Sequence, residues 1–286
     1  MAMSGKRNFL ITGAGSGFGR ALATEALSSG YSVIGTVRSE AARQEFGAMD
    51  PTRARAIVLD VTDFAAIGSE VAQAERDVGP IDVLVNSAGY GHEGTLEESS
   101  FEEMRRQFDV NVFGAVAMIK AVLPFMRERR RGHIINITSM AGYVGLAGIP
   151  YYAGSKFALE GISEVLANEV RGFGIKVTAV APGSFRTDWA GRSMIRSPRS
   201  IADYDLLFEP IRRARAEKSG QQAGDPAKAA RAILKAVEAN DPPMHLLLGN
   251  DALKLVRDKL NSLGKEIDTW ESVTRSTEYA QGSSQP

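Results

Sequence analysis

Tyr152 and Lys156 stand four residues apart near the start of a long helical stretch, so both side chains leave the same helix face. A free phenol has a pKa near 10 and is a poor base at neutral pH. An ammonium beside it favours the phenolate and lowers that value, which suits it to exchange a proton with a substrate oxygen. A Tyr-x-x-x-Lys pair alone is commonly a coincidence of a helix surface. Two further residues give it chemical company. Ser139 closes a short apolar run thirteen residues before Tyr152, and Asn111 lies mid-helix within Asp109-Val110-Asn111-Val112. A hydroxyl at the end of a strand can hydrogen-bond a reacting oxygen, and a buried Asn within a helix is costly unless its amide is used.

Short β-branched runs at 8–12, 32–37, 56–60, 83–86, 133–137, 176–180 and 244–248 are candidates to position these groups. They are continuously apolar, the pattern of strands covered on both faces. Helical patterns fill the intervals at 17–29, 65–77, 101–126, 151–171 and 226–238. The third of these is two helices or one bent helix, since Pro124 falls near its end. Asp225-Pro226 is a helix start, an N-cap followed by a first-turn proline. Repeated β–α alternation predicts a doubly wound parallel sheet with helices on both faces. The carboxyl ends of such strands form the ligand crevice, which is where Ser139 falls. Residues 191–224 break the alternation and read as a substrate lid or as a surface excursion.

Where the first strand passes into the first helix the chain reads Thr12-Gly13-Ala14-Gly15-Ser16-Gly17-Phe18-Gly19. Glycines there let backbone approach a diphosphate, and the helix start offers free N–H groups and a positive dipole end. The spacing is Gly13-x-x-x-Gly17-x-Gly19, with Phe18 where the common Gly-x-G-x-x-Gly fingerprint has its last glycine. No Gly-Lys-Ser/Thr ending follows, which excludes a nucleoside triphosphatase loop. The second strand ends in Thr36-Val37-Arg38-Ser39, with no acid to accept the ribose hydroxyls of NAD. Arg38 can pair with a 2′-phosphate, so NADP(H) is favoured and NAD(H) remains possible. The alternative for Arg38 is a solvated loop residue.

Composition bounds the rest. The chain has 286 residues, 44% hydrophobic and 24% charged, enough for one large core. Lys plus Arg and Asp plus Glu are 34 each, so nothing points to a nucleic-acid or anionic-membrane partner. The absence of cysteine excludes disulfides, thiolate catalysis and Cys-ligated metal. Only His92, His133 and His245 are present, widely separated, and no metal site is expected. No apolar run resembles a leader or a membrane span, so a soluble, cytoplasmic protein is the expectation.

Residues 12–19, Asn86-Ser87-Ala88-Gly89, Asn111, Ser139, Tyr152, Lys156 and Pro182-Gly183 together resemble the short-chain dehydrogenase/reductases in order and spacing. The match covers about residues 5–190 and is closest to the compact, ketoreductase and hydroxysteroid-dehydrogenase-like branch. The resemblance implies a Rossmann-type single domain over residues 1–280, with about seven strands. A lid over about 190–224 and a C-terminal helical extension over about 250–280 complete it. It implies hydride transfer between a nicotinamide cofactor and a small ketone, aldehyde or alcohol, and a homodimer or homotetramer joined through the helices around 111–125 and 151–171. Tyr152 would be the general acid/base, and Lys156 would hold the nicotinamide ribose and depress the Tyr152 pKa. Ser139 would bond the reacting oxygen, and Asn111 would hold a relay water. The cofactor would meet Gly13, Ser16, Gly17, Phe18 and Gly19 at its phosphates and Arg38, Asp60 and Val61 at its adenosine end. Asn86, Ala88 and Gly89 would lie along the ribose, and Pro182, Gly183 and Thr187 over the nicotinamide. Ser87 departs from the usual motif, which has a second Asn. The alternative is a non-catalytic dinucleotide-binding regulator on the same scaffold.

Other signals have plainer readings. Residues 127–131 are a solvated helix end, and Arg212, Arg213, Arg215 and Lys218 are one face of an exposed helix. His92 sits near the crevice mouth as a substrate contact or an idle loop residue. Met140, Tyr143, Val144, Tyr151, Trp189 and Met194 shape an apolar pocket or pack the core.

Overall fold

Neighbouring residues of a strand face opposite sides, so a run such as Phe9-Leu10-Ile11 must be covered twice. The computed structural model, which describes residues 7–279, shows that double cover. The order is β1 (Asn8–Ile11), α1 (Gly17–Ser28), β2 (Ser32–Val37), α2 (Glu40–Gly47), β3 (Ala54–Val58) and α3 (Phe64–Asp77). Then come β4 (Val83–Asn86), β5 (Gly91–Glu93), α4 (Phe101–Phe108), α5 (Ala115–Arg129), β6 (Gly132–Ile137) and α6 (Pro150–Val170). The chain finishes with β7 (Ile175–Pro182), β8 (Met194–Arg196), α7 (Asp205–Glu217), α8 (Pro226–Glu238), β9 (His245–Leu248) and α9 (Asn250–Arg275).

Seven strands make one parallel sheet in the order β3-β2-β1-β4-β6-β7-β9. Phe9, Ile11, Val33, Val83, Val85, Ile135 and Val180 face one side, under α1 and α8, with Leu22, Ile233 and Val237. Leu10, Ile34, Leu84, Ile134 and Val177 face the other, under α3, α5 and α6, with Ile67, Met118, Val122 and Leu166. Each fully buried side chain of this size stabilises the fold by about 1.5–3 kcal/mol.

The expected bend in the helical stretch from 101 is a π-helical turn, Asp109–Gly114, between α4 and α5. A π turn is rare and recurs at functional sites. Gly114 permits it beside the sheet, because a Cβ there would lie 2.8 Å from Val61. Ser100 and Glu103 cap α4 reciprocally. The continuous helix Phe101–Arg129 is long enough to cross a bilayer, and an 18-residue stretch within it, of mean hydropathy 1.5, is apolar enough. Here it serves as a core helix, with Met118, Ile119, Val122 and Met126 packed on the sheet.

The structure departs from the sequence expectation in several places. A second, two-stranded parallel sheet joins β5 to β8, and α2 is a helix that the pattern does not announce, whereas α7 carries the helix expected around Arg212–Arg215. Strand β3 runs over Ala54–Val58, two residues earlier than expected. Arg212 and Arg215 do not form a solvated face. Both pair with Glu93, as does Arg196 at 2.9 Å, and the Glu93 side chain is 2% exposed. Nearby, Glu98 accepts from Arg199 at 2.9 Å and from the N–H groups of Ser200 and Ile201. The Ser200 N–H, more than any other group, holds the Glu98 carboxyl at about 2.

Breaking a buried ion pair from one side leaves charge uncompensated, at a cost of about 3–5 kcal/mol. Glu93→Ala is therefore expected to lose roughly that much stability in denaturant unfolding. Trypsin should then cut between residues 196 and 218 under conditions that leave the wild type whole.

Candidate active site

The strand order reverses beside β1, where one crossover runs to β2 and the next to β4, and a crevice opens there outside the carboxyl ends. It is a single cavity of about 1890 Å³ running from the glycine-rich turn to the segment after residue 187. That is larger than the ~300–1,000 Å³ of a site for one small ligand, and it accommodates a dinucleotide with a substrate.

The turn after β1 is shaped by close contacts. Gly13 has φ +66°, and a Cβ there would fall 2.8 Å from the Ala88 backbone. The Thr12 hydroxyl accepts from the N–H groups of Ser87 and Ala88, both at 3.0 Å, clipping the β1 and β4 loops together. Gly13, Ser16, Gly17 and Phe18 line the cavity. Gly19 does not; it packs underneath, where a Cβ would meet the Gly13 carbonyl at 2.5 Å. Ser16 caps α1 without using its side chain, which leaves the first-turn N–H groups without a side-chain acceptor beside the cavity. This backbone cradle fits a diphosphate, as the sequence pattern suggests.

At one end of the cavity lie Arg38, Asp60 and Val61. Burial would raise the Asp60 pKa, but the Thr62 N–H and hydroxyl, at 2.9 and 2.7 Å, and then Arg38 outweigh it and hold it low. Arg38 forms no ion pair with any described residue. Ala88 and Gly89 line the wall, and so does Ser87. Asn86 sits behind that wall, donating to Asn136 Oδ1 at 2.9 Å, and its own Oδ1 is buried without a partner. Pro182, Gly183 and Thr187 form the opposite rim.

Tyr152, Lys156 and Ser139 converge on the cavity between those walls. Pro150 starts α6, which puts Tyr152 and Lys156 on its first two turns. Ser139 follows β6 and caps a short 3-10 turn at Met140–Gly142, accepting from the Ala141 N–H at 3.1 Å. Lys156 Nζ donates to the Ile137 carbonyl at 2.8 Å. Burial drives its pKa down to about 8, against the pull of the Glu160 carboxylate one turn further on. Burial pushes the Tyr152 phenol up to about 12. Ser139 and the Trp189 indole oppose this, and the Lys156 ammonium is not the opposing group that the spacing suggested. Lys156 Nζ lies 5.7 Å from the phenol ring centre, with one of its three N–H groups on the Ile137 carbonyl. Trp189 packs on that ring at 5.0 Å.

Asn111 does not line the cavity. Its amide donates to the Tyr90 carbonyl at 3.2 Å and to Ser155 Oγ at 3.1 Å, and accepts from the Tyr90 N–H at 3.1 Å. A Cβ on Gly89 would be 3.1 Å from Asn111 Oδ1 and 3.7 Å from Lys156 Nζ, so the amide and the amine flank one glycine. The substrate end is walled by Met140, Leu146, Ile149, Trp189, Ile195 and Ile211. His92 takes no part in it. It is buried on β5, 3.1 Å from Ser197 Oγ and stacked near Tyr151, with its pKa lowered by burial. Tyr151 donates to the Ser99 carbonyl at 2.6 Å, so it packs the core and leaves the pocket to others.

Residues 7–195 match the sequence model of the family described as short chain dehydrogenase. The chain belongs to the short-chain dehydrogenase/reductase family. It is 40% identical over 242 residues to the 3-ketodihydrosphingosine reductase of Bacteroides thetaiotaomicron, covering 84% of this chain and 87% of that one. A short-chain dehydrogenase from Streptomyces avermitilis superposes with a TM-score of 0.90 at 42% identity, covering 97% of this chain and all of that one. The structure of ElxO with NADP bound superposes with a TM-score of 0.72 at 26% identity, covering 87% of this chain and all of that one. The family is one of oxidoreductases on a dinucleotide-binding fold.

Sequence reading passed over two acids that organise this family site. Asp251, in the first turn of α9, accepts from the Ser184 N–H at 2.7 Å and fixes the rim after β7. Glu160 accepts from Thr138, next to Ser139, and from Tyr143 at 2.9 Å, and stands 3.1 Å from His245. Its signal was available, one turn past Lys156 on the same helix face. Glu160→Gln keeps an acceptor for Thr138 and Tyr143 but removes the charge that raises the Lys156 pKa. Lys156 should then lose its proton below the wild-type value of about 8, at lower pH, in an NMR titration of its side chain. An unmoved or higher value would show that Glu160 does not support the ammonium.

Proposed function

We propose that this protein is a cytoplasmic, NADP(H)-preferring oxidoreductase that interconverts a ketone or aldehyde and an alcohol. The observation that carries the reading is the convergence of Tyr152 and Ser139, with Lys156 beneath them, between the phosphate cradle and an apolar wall. A bound nicotinamide supplies or accepts the hydride at the substrate carbon. Every other task falls to side chains of this protein. Ser139 donates to the carbonyl oxygen and stabilises the negative charge that develops there. Tyr152 delivers the proton to that oxygen in reduction and withdraws it in oxidation. Its raised pKa suits a donor, since the phenol stays protonated at neutral pH until positive charge comes close. Lys156 orients the cofactor ribose and supplies part of that charge. Asn111 keeps the Tyr90 backbone and Ser155 in place behind Lys156, where a relay water would sit. The ketoreductase named among its relatives supports a ketone as substrate.

Arg38 supports the NADP(H) preference. It lines the cavity at the end of β2, where no acid stands at the strand end to repel a 2′-phosphate. Self-association through α5 and α6 fits their shared apolar groove, walled by Val116, Ile119, Leu123, Ile162 and Val165.

Tyr152→Phe is expected to bind the reduced cofactor as the wild type does while turnover falls by about 10²–10⁴. Nicotinamide absorbance over a panel of ketones and alcohols reads this, and full activity in the variant would refute the role. Arg38→Asp should reverse the cofactor preference in a fluorescence titration, losing NADPH affinity and gaining NADH affinity. Tighter binding of NADH than NADPH by the wild type would contradict the assignment.

A further inference from the structure

Helix α9 is docked only by its root. Ala252 and Val256 are buried against the body. From Arg257 to Arg275 every residue except Gly264 is exposed, a free length of about 28 Å at 1.5 Å per residue. This free part is not polar all round. Leu253, Val256, Leu260, Leu263, Ile267 and Trp270 follow one another at steps of three, four, three, four and three. That is the a/d repeat of a helix built to pack along another helix. Four of them lie on the free length, with Leu260 55%, Leu263 39%, Ile267 60% and Trp270 59% exposed.

We propose that α9 pairs antiparallel with α9 of a second copy of this chain. Flanking charge chooses the orientation. Arg257 and Glu271 occupy one flank of the stripe, seven residues to either side of Gly264, and Glu266 occupies the other flank. In a parallel pair Glu266 of each copy falls beside Glu271 of the other, acid against acid on both sides. In an antiparallel pair Arg257 of each copy falls beside Glu271 of the other, and only Glu266 meets its own kind, once, at the axis. Bulk agrees with charge, because antiparallel pairing puts the two bodies at opposite ends of the helices and parallel pairing would crowd them at one end. Register follows from burial. Val256 is committed to its own body, so the pair that uses all four exposed residues sets Leu260 against Trp270 and Leu263 against Ile267. Gly264, with no atom within 4 Å of where its Cβ would be, leaves the middle of the pair uncrowded. This contact is separate from the α5–α6 groove and adds a second self-association surface at the far end of the chain.

The chain has no cysteine, so engineered ones report alone. In the full-length protein, the double variant Leu260→Cys, Trp270→Cys should form a disulfide-linked dimer under mild oxidation. Each single variant should not, since like positions then lie ten residues apart along the pair, beyond the ~7 Å a disulfide spans. All three should keep the basal activity. Leu260→Glu with Ile267→Glu should halve the mass found by sedimentation. Failure of the double variant to cross-link overturns the proposal, whatever the mass. Cross-linking by Trp270→Cys alone also overturns it, in favour of a parallel pair. Flotation of the wild type with phosphatidylcholine–phosphatidylserine vesicles, lost in the Leu260→Glu, Ile267→Glu variant, overturns it in favour of a lipid surface.

Discussion

A lysine ammonium buried under the carboxyl ends of a parallel sheet is the constraint around which this site is arranged. Removal from water favours the neutral amine and takes Lys156 down to about 8. What opposes that loss is local. The Glu160 carboxylate lies one turn further along α6, and the Ile137 carbonyl holds the amine in place by accepting a hydrogen bond from it at 2.8 Å. Both groups come from elements that also hold other parts of the site. Ile137 ends the strand that delivers Ser139, and Glu160 grips Thr138 and Tyr143 on either side of that serine. The charge of the lysine and the position of the serine therefore rest on the same carboxylate.

Burial on both sides of the sheet makes such a site affordable only at the strand ends, where backbone turns outward and helix starts point in. The glycines of the first turn are there for contact distance. Gly13 and Gly19 each sit where a Cβ would overlap backbone, which brings the β1 and β4 loops close enough for Thr12 to join them. The far wall is secured from a distance, by Glu93 and Glu98 reaching the arginines after residue 190 and by Asp251 reaching the rim after β7. Two buried acids thus give a segment of irregular composition a fixed course over the cavity.

The order of strands and helices was legible because each core strand is a continuous apolar run and each long helix has a recognisable start or stop. Asp225-Pro226 marks a start and Gly30 a stop, and the structure begins α8 at Pro226 and ends α1 just before Gly30. Strands β5 and β8 were not legible, since Gly-His-Glu and Met-Ile-Arg owe their pairing to each other and not to any local pattern. Helix α2 buries only Phe46, too little for periodicity to register. Within the site, residue identity was clear from spacing, but the state of each group was not. Asn86 was expected in the wall and lies behind it; the Tyr152 phenol was expected to be made acidic by Lys156 and is made less acidic by burial. Spacing along a helix gives neighbours, whereas desolvation depends on everything packed around them.

The proposed role of Tyr152 requires that its proton be held tightly until positive charge arrives beside it. The direct test is an ultraviolet difference titration of the phenolate, wild type minus Tyr152→Phe, without cofactor and with saturating oxidised dinucleotide. The account predicts a pKa near 12 for the free protein and a fall below the ordinary tyrosine value once the oxidised cofactor is bound. A phenol that titrates at the same pH in both states would contradict it.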